Sequence, residues 1–206
     1  DLRRVGEEGL YELLATSNIG TLQSCDFKSI VTTDPHSFNT IRNEYPDFGG
    51  KFEINHYTTL VKQLLESGQI TLKKKLDYRV TFHDPCHLGR YNRGFDAPRD
   101  VIKMLGCELV EMPRNRDNSF CCGAGGGRIW IPDPVGIEKP SANRMREAGQ
   151  IEGLDVFIVS CPKDLTMFED ALKTSGYEGK FVVRELIELI DECIEYEVWE
   201  EPALAE

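Results

Sequence analysis

The sequence predicts an α/β protein made of two related small units of parallel sheet, the first of which is incomplete in this chain. Two observations lead to this prediction. Short apolar, β-branched runs alternate with segments of helical periodicity, which is typical of parallel α/β units. A pattern of strand, proline turn, helix, strand and helix also occurs twice, over residues 29–67 and 157–195. The repetition indicates that one structural unit has been duplicated.

Each predicted element follows from one of these patterns. The β-branched runs predict strands over residues 29–33, 51–55, 78–84, 107–112, 155–160 and 180–184. The periodic segments predict helices over residues 3–15, 57–67, 98–105, 137–149, 164–175 and 185–197. The last helix has the clearest apolar face, with Leu186, Leu189, Ile190 and Cys193 at helical spacing. The polar, basic segment 68–77 is interpreted as a linker.

The repeat differs between its two copies at the turn after the first strand. In register, Asp34 corresponds to Cys161 and Ser37 corresponds to Asp164, with a proline after the first residue in both copies. Asp34 and Ser37 are not the soft donors that iron–sulfur sites use. We therefore expect any metal to bind to the second copy alone.

The copies also set the expected domain boundaries. Residues 1–76 are interpreted as the second half of a first repeat that has lost its ligands and whose front half is absent from this chain. Residues 77–199 form a complete second unit, and residues 200–206 form an acidic tail. Because the sequence lacks an initial Met and begins within a predicted helix, we expect it to be part of something larger.

The composition excludes several classes of protein. A net charge of −11 argues against a nucleic-acid partner, which requires a basic surface. The charged opening and the absence of a long apolar run predict no secretory signal and no transmembrane segment. We expect a cytoplasmic protein that reaches a membrane, if at all, through a partner or a missing N-terminal part. The acidic end is either a solvated helix face and tail or a docking surface for a basic redox partner.

Cysteine is the residue type that points to chemistry. The chain has seven cysteines and no export signal, so metal or redox chemistry explains them better than a disulfide framework. Cys86 and Cys161 each follow a predicted strand, and the carboxyl ends of parallel strands share one edge of a sheet. The adjacent pair Cys121 and Cys122 lies between them in the sequence. We expect these four side chains to meet at one site.

The glycines after the pair support a metal cluster. In "CCGAGGG", Gly123, Gly125 and Gly126 allow the backbone to approach a ligand closely and to direct N–H groups toward it. This arrangement suits an anionic iron–thiolate cluster, whose potential depends on hydrogen bonds to sulfur. It does not suit a P-loop phosphate site, because no Lys-Ser/Thr pair follows.

Two alternatives remain open for the four cysteines. Four thiolates can hold structural zinc, although zinc sites favour short Cys-x2–4-Cys spacings. A metal-free thiol–disulfide oxidoreductase is the other alternative, but the sequence has no Cys-x-x-Cys. Cys107 and Cys193 are assigned to the core, and Cys25 is assigned no role. His87 is interpreted as a residue that donates a hydrogen bond to a cluster sulfur or packs structurally.

The segments "FHDPCHLGRYN", "FCCGAGGGRIW" and "SCPKDLTMFEDAL" resemble the cysteine-rich CCG domain of the heterodisulfide reductase B/D family. That family includes iron–sulfur subunits of the glycolate oxidase type and electron transfer flavoprotein–quinone oxidoreductases. The resemblance implies iron–sulfur binding by Cys86, Cys121, Cys122 and Cys161. In some members a non-cubane cluster, held by five cysteines, acts on disulfides. This chain departs from the pattern at Asp164, where the family has its last cysteine.

These observations lead to a functional hypothesis with one alternative. We expect an iron–sulfur electron-transfer subunit of an oxidoreductase, with a [4Fe-4S] cluster held by the four thiolates. Its partners would be a flavoprotein or ferredoxin-type subunit, or a quinone-linked membrane subunit. The alternative is a catalytic heterodisulfide or thiol–disulfide reductase with a non-cubane cluster. Asp164 is expected to cap the helix that follows Cys161, with ligation to iron as the alternative.

Overall fold

The computed structural model describes residues 1–132 and 136–194. The α-helices are α1 (Glu8–Gln23), α2 (Pro35–Asn39), α3 (Tyr57–Glu66), α4 (Asp96–Met104), α5 (Pro140–Ala148), α6 (Pro162–Thr174) and α7 (Leu186–Cys193). The strands are β1 (Ile30–Thr32), β2 (Ile54–His56), β3 (Arg79–Phe82), β4 (Glu108–Leu109), β5 (Val156–Val159) and β6 (Val182–Glu185). Short 3-10 helices lie at Leu2–Val5, Tyr45–Phe48, Arg116–Asn118 and Arg128–Trp130, and a π-helical turn at Thr40–Glu44.

All the strand pairs in the described residues are parallel. Strands β1 and β2 form a two-stranded sheet, and the other strands form a four-stranded sheet in the order β4-β3-β5-β6. Parallel neighbours need a crossover connection, and helices supply most of these crossovers here. The predicted α/β class is confirmed.

The observed bounds differ from the predicted ones for local physical reasons. The helix expected over 3–15 begins only at Glu8, because Gly6 takes a left-handed φ of 89° and ends the preceding 3-10 turn. It then continues to Gln23. The strand expected over 107–112 forms only two ladder residues. The end predicted for the last helix, residues 195–197, and the acidic tail 200–206 lie outside the described residues.

The main core lies between the four-stranded sheet and helices α3, α4 and α7. Its fully buried members include Val80, Phe82, Ile158, Leu186 and Leu189. Apolar side chains removed from water in this way supply most of the stabilisation of a domain. Cys107 and Cys193 pack in the same core and are 7% and 1% exposed, as predicted.

Helix α3 connects the two halves of the chain. Tyr57 and Val61 belong to the core of the four-stranded sheet, although they precede the predicted boundary at residue 76. The Tyr57 hydroxyl donates a hydrogen bond to Glu185 (2.7 Å), and its oxygen lies 3.1 Å from the Ser160 hydroxyl. Leu76, at the end of the predicted linker, is only 5% exposed. The segment before residue 77 is thus packed into the second half rather than tethered to it.

The two repeated segments fold with the same element order. Strand β1, α2, β2 and α3 follow one another as β5, α6, β6 and α7 do, and each strand pair is parallel. Proline opens the first helix in both segments, at Pro35 and Pro162, where its missing N–H costs nothing. The interpretation of these segments as a duplicated unit that has lost one ligand set stays a prediction.

Candidate metal centre

Two of the predicted cysteines follow neighbouring strands of the four-stranded sheet. Strands β3 and β5 pair directly, with Phe82 opposite Ile158. Cys86 comes four residues after the end of β3, and Cys161 is the N-cap of α6, just after β5. Because the strands are parallel, both thiols lie beyond the same edge of the sheet.

The backbone of the glycine-rich loop faces the sulfurs of the adjacent cysteine pair. Cys121 is exposed and Cys122 is buried. The N–H of Gly123 donates to the Cys121 Sγ (3.3 Å), and the N–H of Ala124 donates to the Cys122 Sγ (3.4 Å). Backbone N–H groups therefore point at both sulfurs, and such bonds favour the thiolate form.

The pKa values show that the four thiols share one electrostatic environment. A hydrogen bond from Cys122 lowers the pKa of the Cys121 thiol to about 6 and raises the pKa of Cys122. Burial raises the pKa of Cys86 to about 11, and the carboxylate of Asp164 adds to the effect. Burial and the same carboxylate raise the pKa of Cys161. A metal that binds here must displace protons from three of the four thiols.

Asp164 faces these thiols. It is 3% exposed, it interacts with Cys122, and its Oδ2 lies 3.6 Å from His83 Nε2 with no hydrogen-bond partner. The expected capping role is wrong, because Cys161 is the N-cap and the Asp164 carboxyl is directed at the thiols instead of the backbone N–H groups of α6. Burial raises the pKa of Asp164 to about 7.

A buried ion pair anchors the loops that carry Cys86 and Cys121. Asp84 accepts two hydrogen bonds from Arg99 (2.6 and 2.9 Å), and both side chains are about 3% exposed. Asp84 also accepts the backbone N–H of Arg116 (2.7 Å), and its carbonyl accepts the hydroxyl of Ser119 (3.2 Å). The pair was not predicted, because no local sequence pattern links Asp84 to Arg99.

Two histidines besides His83 border the site, and only one of these two was singled out from the sequence. His87 stacks on Tyr91, with ring centroids 4.8 Å apart, and its Nδ1 is buried without a hydrogen-bond partner. Its ring also stacks on His36, at 4.1 Å. His36 belongs to the first repeat, in which no site residue was expected.

Comparison with known proteins shows that the segment carrying these cysteines matches a known domain family. Residues 80–169 match the family described as "CCG: Cysteine-rich domain". They span Cys86, Cys121, Cys122, Cys161 and Asp164. The chain carries a CCG cysteine-rich domain.

The similarity between the chain and several relatives extends beyond the residues of the CCG domain. The chain is 39% identical over 197 residues to the probable iron-sulfur-binding oxidoreductase FadF of Bacillus subtilis, covering 93% of the chain and 27% of that protein. It is 33% identical over 198 residues to an EtfAB:quinone oxidoreductase of Syntrophomonas wolfei, covering 94% and 28%. It is 33% identical over 189 residues to a dihydromethanophenazine:CoB–CoM heterodisulfide reductase subunit of Methanosarcina barkeri, covering 88% and 44%. The chain thus spans between about a quarter and under a half of each of these relatives.

The donor set of the CCG domain fits an iron–sulfur cluster. Cys86, Cys122 and Cys161 each interact electrostatically with Asp164, and the Cys121 thiol interacts with that of Cys122. Thiolates are the ligands that iron–sulfur clusters take. The buried Oδ2 of Asp164 and Nδ1 of His87 lack hydrogen-bond partners among the described residues, which leaves both atoms free to interact with a bound group. None of the described helices is long and apolar enough to cross a bilayer.

The glycines of the CCG loop are not equivalent. Gly123 has a φ of +89°, and a Cβ there would lie 3.3 Å from Pro140. Gly126 also has a positive φ, of +65°. At Gly125 φ is not positive, and a Cβ would make only an ordinary 3.9 Å contact with His36. Of these three glycines, only Gly123 is held both by its backbone conformation and by a close neighbour.

We expect Gly123→Ala to destabilise the domain and to lower its metal content. The left-handed conformation costs a non-glycine residue about 1–2 kcal/mol, and relief of that strain would displace the N–H that binds the Cys121 sulfur. Urea unfolding and iron analysis of the two variants measure these effects. Gly125→Ala is the matched control, with stability and iron content close to the wild type. Equal behaviour of the two variants would contradict the assignment.

Proposed function

We propose that the CCG domain binds a [4Fe-4S] cluster through Cys86, Cys121, Cys122 and Cys161, and that the chain passes single electrons within an oxidoreductase. The observation that supports this proposal is that three of the four free thiols interact with the buried carboxyl of Asp164, while backbone N–H groups are directed at the sulfurs of the adjacent pair. Four thiolates complete the ligand set of a cubane. The glycines and Asp164 lie beside the site rather than in that set.

The chain's own residues would prepare this site for electron transfer. The cluster supplies the one-electron chemistry, and the protein controls its potential and its access. Cys122 and Cys161 are buried, which keeps water from most of the site, whereas Cys121 is exposed. Electrons would therefore enter and leave on the Cys121 side, where a partner can approach.

The relatives support a place within a larger redox complex. Their names describe an iron-sulfur-binding oxidoreductase, an EtfAB:quinone oxidoreductase and a heterodisulfide reductase subunit. We propose that the electron partners are a flavoprotein or ferredoxin-type subunit and a quinone-linked membrane component. An exchange of electrons between such carriers needs no substrate pocket at the cysteines.

The alternative function is disulfide reduction by a non-cubane cluster, and the relative named as a heterodisulfide reductase subunit favours it. Against it stands Asp164, which occupies the position of the fifth cysteine that such a cluster draws on. The electron-transfer role needs four thiolates only, and the CCG domain of this chain offers four at this site.

Metal analysis of an anaerobic preparation tests the proposal. We expect about four iron and four sulfide ions per chain, a brown protein, and after reduction the electron paramagnetic resonance spectrum of a one-electron-reduced cubane. A colourless protein that contains zinc and no iron would replace this proposal with a structural zinc site. A signal that changes when a disulfide is added would favour the reductase alternative.

Asp164→Ala should keep all four iron ions per cluster. The reason is that four thiolates saturate a cubane, so that the carboxyl group is a neighbour rather than a ligand. Asp170→Ala, which removes an exposed carboxylate from the same helix, is the matched control. Iron analysis and the reduced-state spectrum measure the result.

A loss of one iron per cluster in Asp164→Ala, but not in the control, would make Asp164 a ligand. Asp164→Cys extends the test, because it restores the Cys-x-x-Cys spacing of the family. A non-cubane spectrum in that variant alone would show that the aspartate selects the cubane form.

A further inference from the structure

One side chain of the first repeat lies next to all three segments that carry the cysteines of the second. One ligand atom each of Asp34, His36 and Cys161 lie within 4.8 Å of one another. The His36 ring stacks on His87, which directly follows Cys86. Its Cε1 lies 3.9 Å from the position that a Cβ on Gly125 would take, in the loop after Cys121 and Cys122. His36 thus lies where the three cysteine segments meet.

The position of His36 is fixed from both sides. Asp34 is the N-cap of α2 and accepts the N–H groups of His36 (3.1 Å) and Ser37 (3.0 Å), together with the Ser37 hydroxyl (2.7 Å). This capping sets the backbone of the helical turn. The stack on His87, at 4.1 Å and 30° between the rings, then sets the plane of the imidazole. A side chain held in this way is already oriented before any group binds beside it.

Imidazole has the chemistry to act on a cluster without being a ligand. It carries at least one ring N–H in either protonation state, and that N–H can donate to a sulfur acceptor. Hydrogen bonds to cluster sulfurs raise the reduction potential, because the more negative reduced cluster gains more from them. Asp34 is fully used as a helix cap, so His36 is the group of this turn that is free to serve in this role.

We propose that His36 is a positioning residue that donates a hydrogen bond to the sulfur at the Cys161 side of the cluster and so raises its reduction potential. The proposal rests on the proposed function, since it requires the cluster. A bound cluster would supply the one-electron chemistry, with the electron coming from a reduced partner subunit, and His36 would keep its proton throughout. The first repeat then sets the potential of a site for which it supplies no ligand.

Potentiometric titration of cluster-loaded wild type, His36→Phe and His36→Asn tests this role. At a fixed solution potential, the ratio of reduced to oxidised cluster in His36→Phe should be about tenfold lower than in the wild type. For a one-electron couple, this change corresponds to a reduction potential about 59 mV lower. Its iron and sulfide contents should stay unchanged. His36→Asn keeps an N–H donor and should recover most of the shift. Gln23→Ala, a neutral change at an exposed residue of α1, should titrate as the wild type does.

Two outcomes would overturn the proposal. One is a His36→Phe variant with full iron content in which the ratio of reduced to oxidised cluster differs less than twofold from that of the wild type. The other is the loss of one iron per cluster in both His36 variants, which would make His36 a ligand. A wild-type protein without iron would refute the proposed function itself, and this inference with it, before any variant is compared.

A second measurement keeps the test decisive if His36→Phe does not load. Pulsed paramagnetic resonance on the reduced wild type, with ¹⁵N-labelled histidine, should show a weak nitrogen coupling from His36, beyond any from His87, that is absent from His36→Asn. Identical spectra for the two proteins would overturn the proposal.

Discussion

Replacing Cys161 with serine should remove most of the iron and sulfide from the protein. Cys161 is 1% exposed, and its thiol lies at the N-cap of α6, beyond the end of β5. No other cysteine of the second repeat follows this strand, and a serine oxygen is a poor donor for an iron–sulfur cluster. Cys86→Ser and Cys122→Ser should have the same effect for the same reason.

Iron and sulfide analysis after anaerobic reconstitution measures the loss, and circular dichroism checks that the fold survives. Cys25→Ser is the matched control, because Cys25 is exposed and lies outside the CCG match. Full iron retention in any of the three site variants would remove that cysteine from the proposed ligand set.

Asp84→Ala should lower the free energy of unfolding by about 3 kcal/mol. The change leaves Arg99 buried without the two hydrogen bonds from its guanidinium to Asp84, and breaking a buried pair on one side typically costs this much. Glu111 and the Phe95 carbonyl still accept hydrogen bonds from Arg99. The expected loss of stability therefore lies at the lower end of the roughly 3–5 kcal/mol that breaking a buried ion pair costs. Urea unfolding of the cluster-free protein measures it.

Asp117→Ala provides the comparison, since its ion pair with Arg93 is exposed. Pairs of that kind contribute less than about 1 kcal/mol. The double change Asp84→Leu with Arg99→Met should be less destabilised than Asp84→Ala alone, because no buried charge is then left unpaired. Equal stability of Asp84→Ala and Asp117→Ala would show that the buried pair does not anchor the loops.

The fold class and the location of Cys86 and Cys161 after neighbouring strands could be predicted because both follow from local patterns. Apolar runs that alternate with periodic segments indicate parallel strands, and parallel strands carry whatever follows them to one edge. Cys86 and Cys161 each follow a strand, so their shared location could be derived without any knowledge of distances.

The features that could not be predicted depend on contacts between distant segments or on side-chain direction. The pairing of Asp84 with Arg99 and the approach of His36 to Cys161 join residues that no periodicity links. Asp164 has the sequence position of a helix cap, but its carboxyl points at the thiols instead. The spacing of residues along the chain does not reveal which side chains these residues contact in the folded protein.

Helix α3 gives the first repeat a structural role that does not depend on any metal ligand of its own. Tyr57 and Val61 form part of the wall of the core that supports β3 and β5, the strands that precede Cys86 and Cys161. Changes that removed ligands from the first repeat would leave this wall intact, whereas deletion of the repeat would open the core to water. Natural selection can therefore abandon the chemistry of the first repeat, but it must keep its packing.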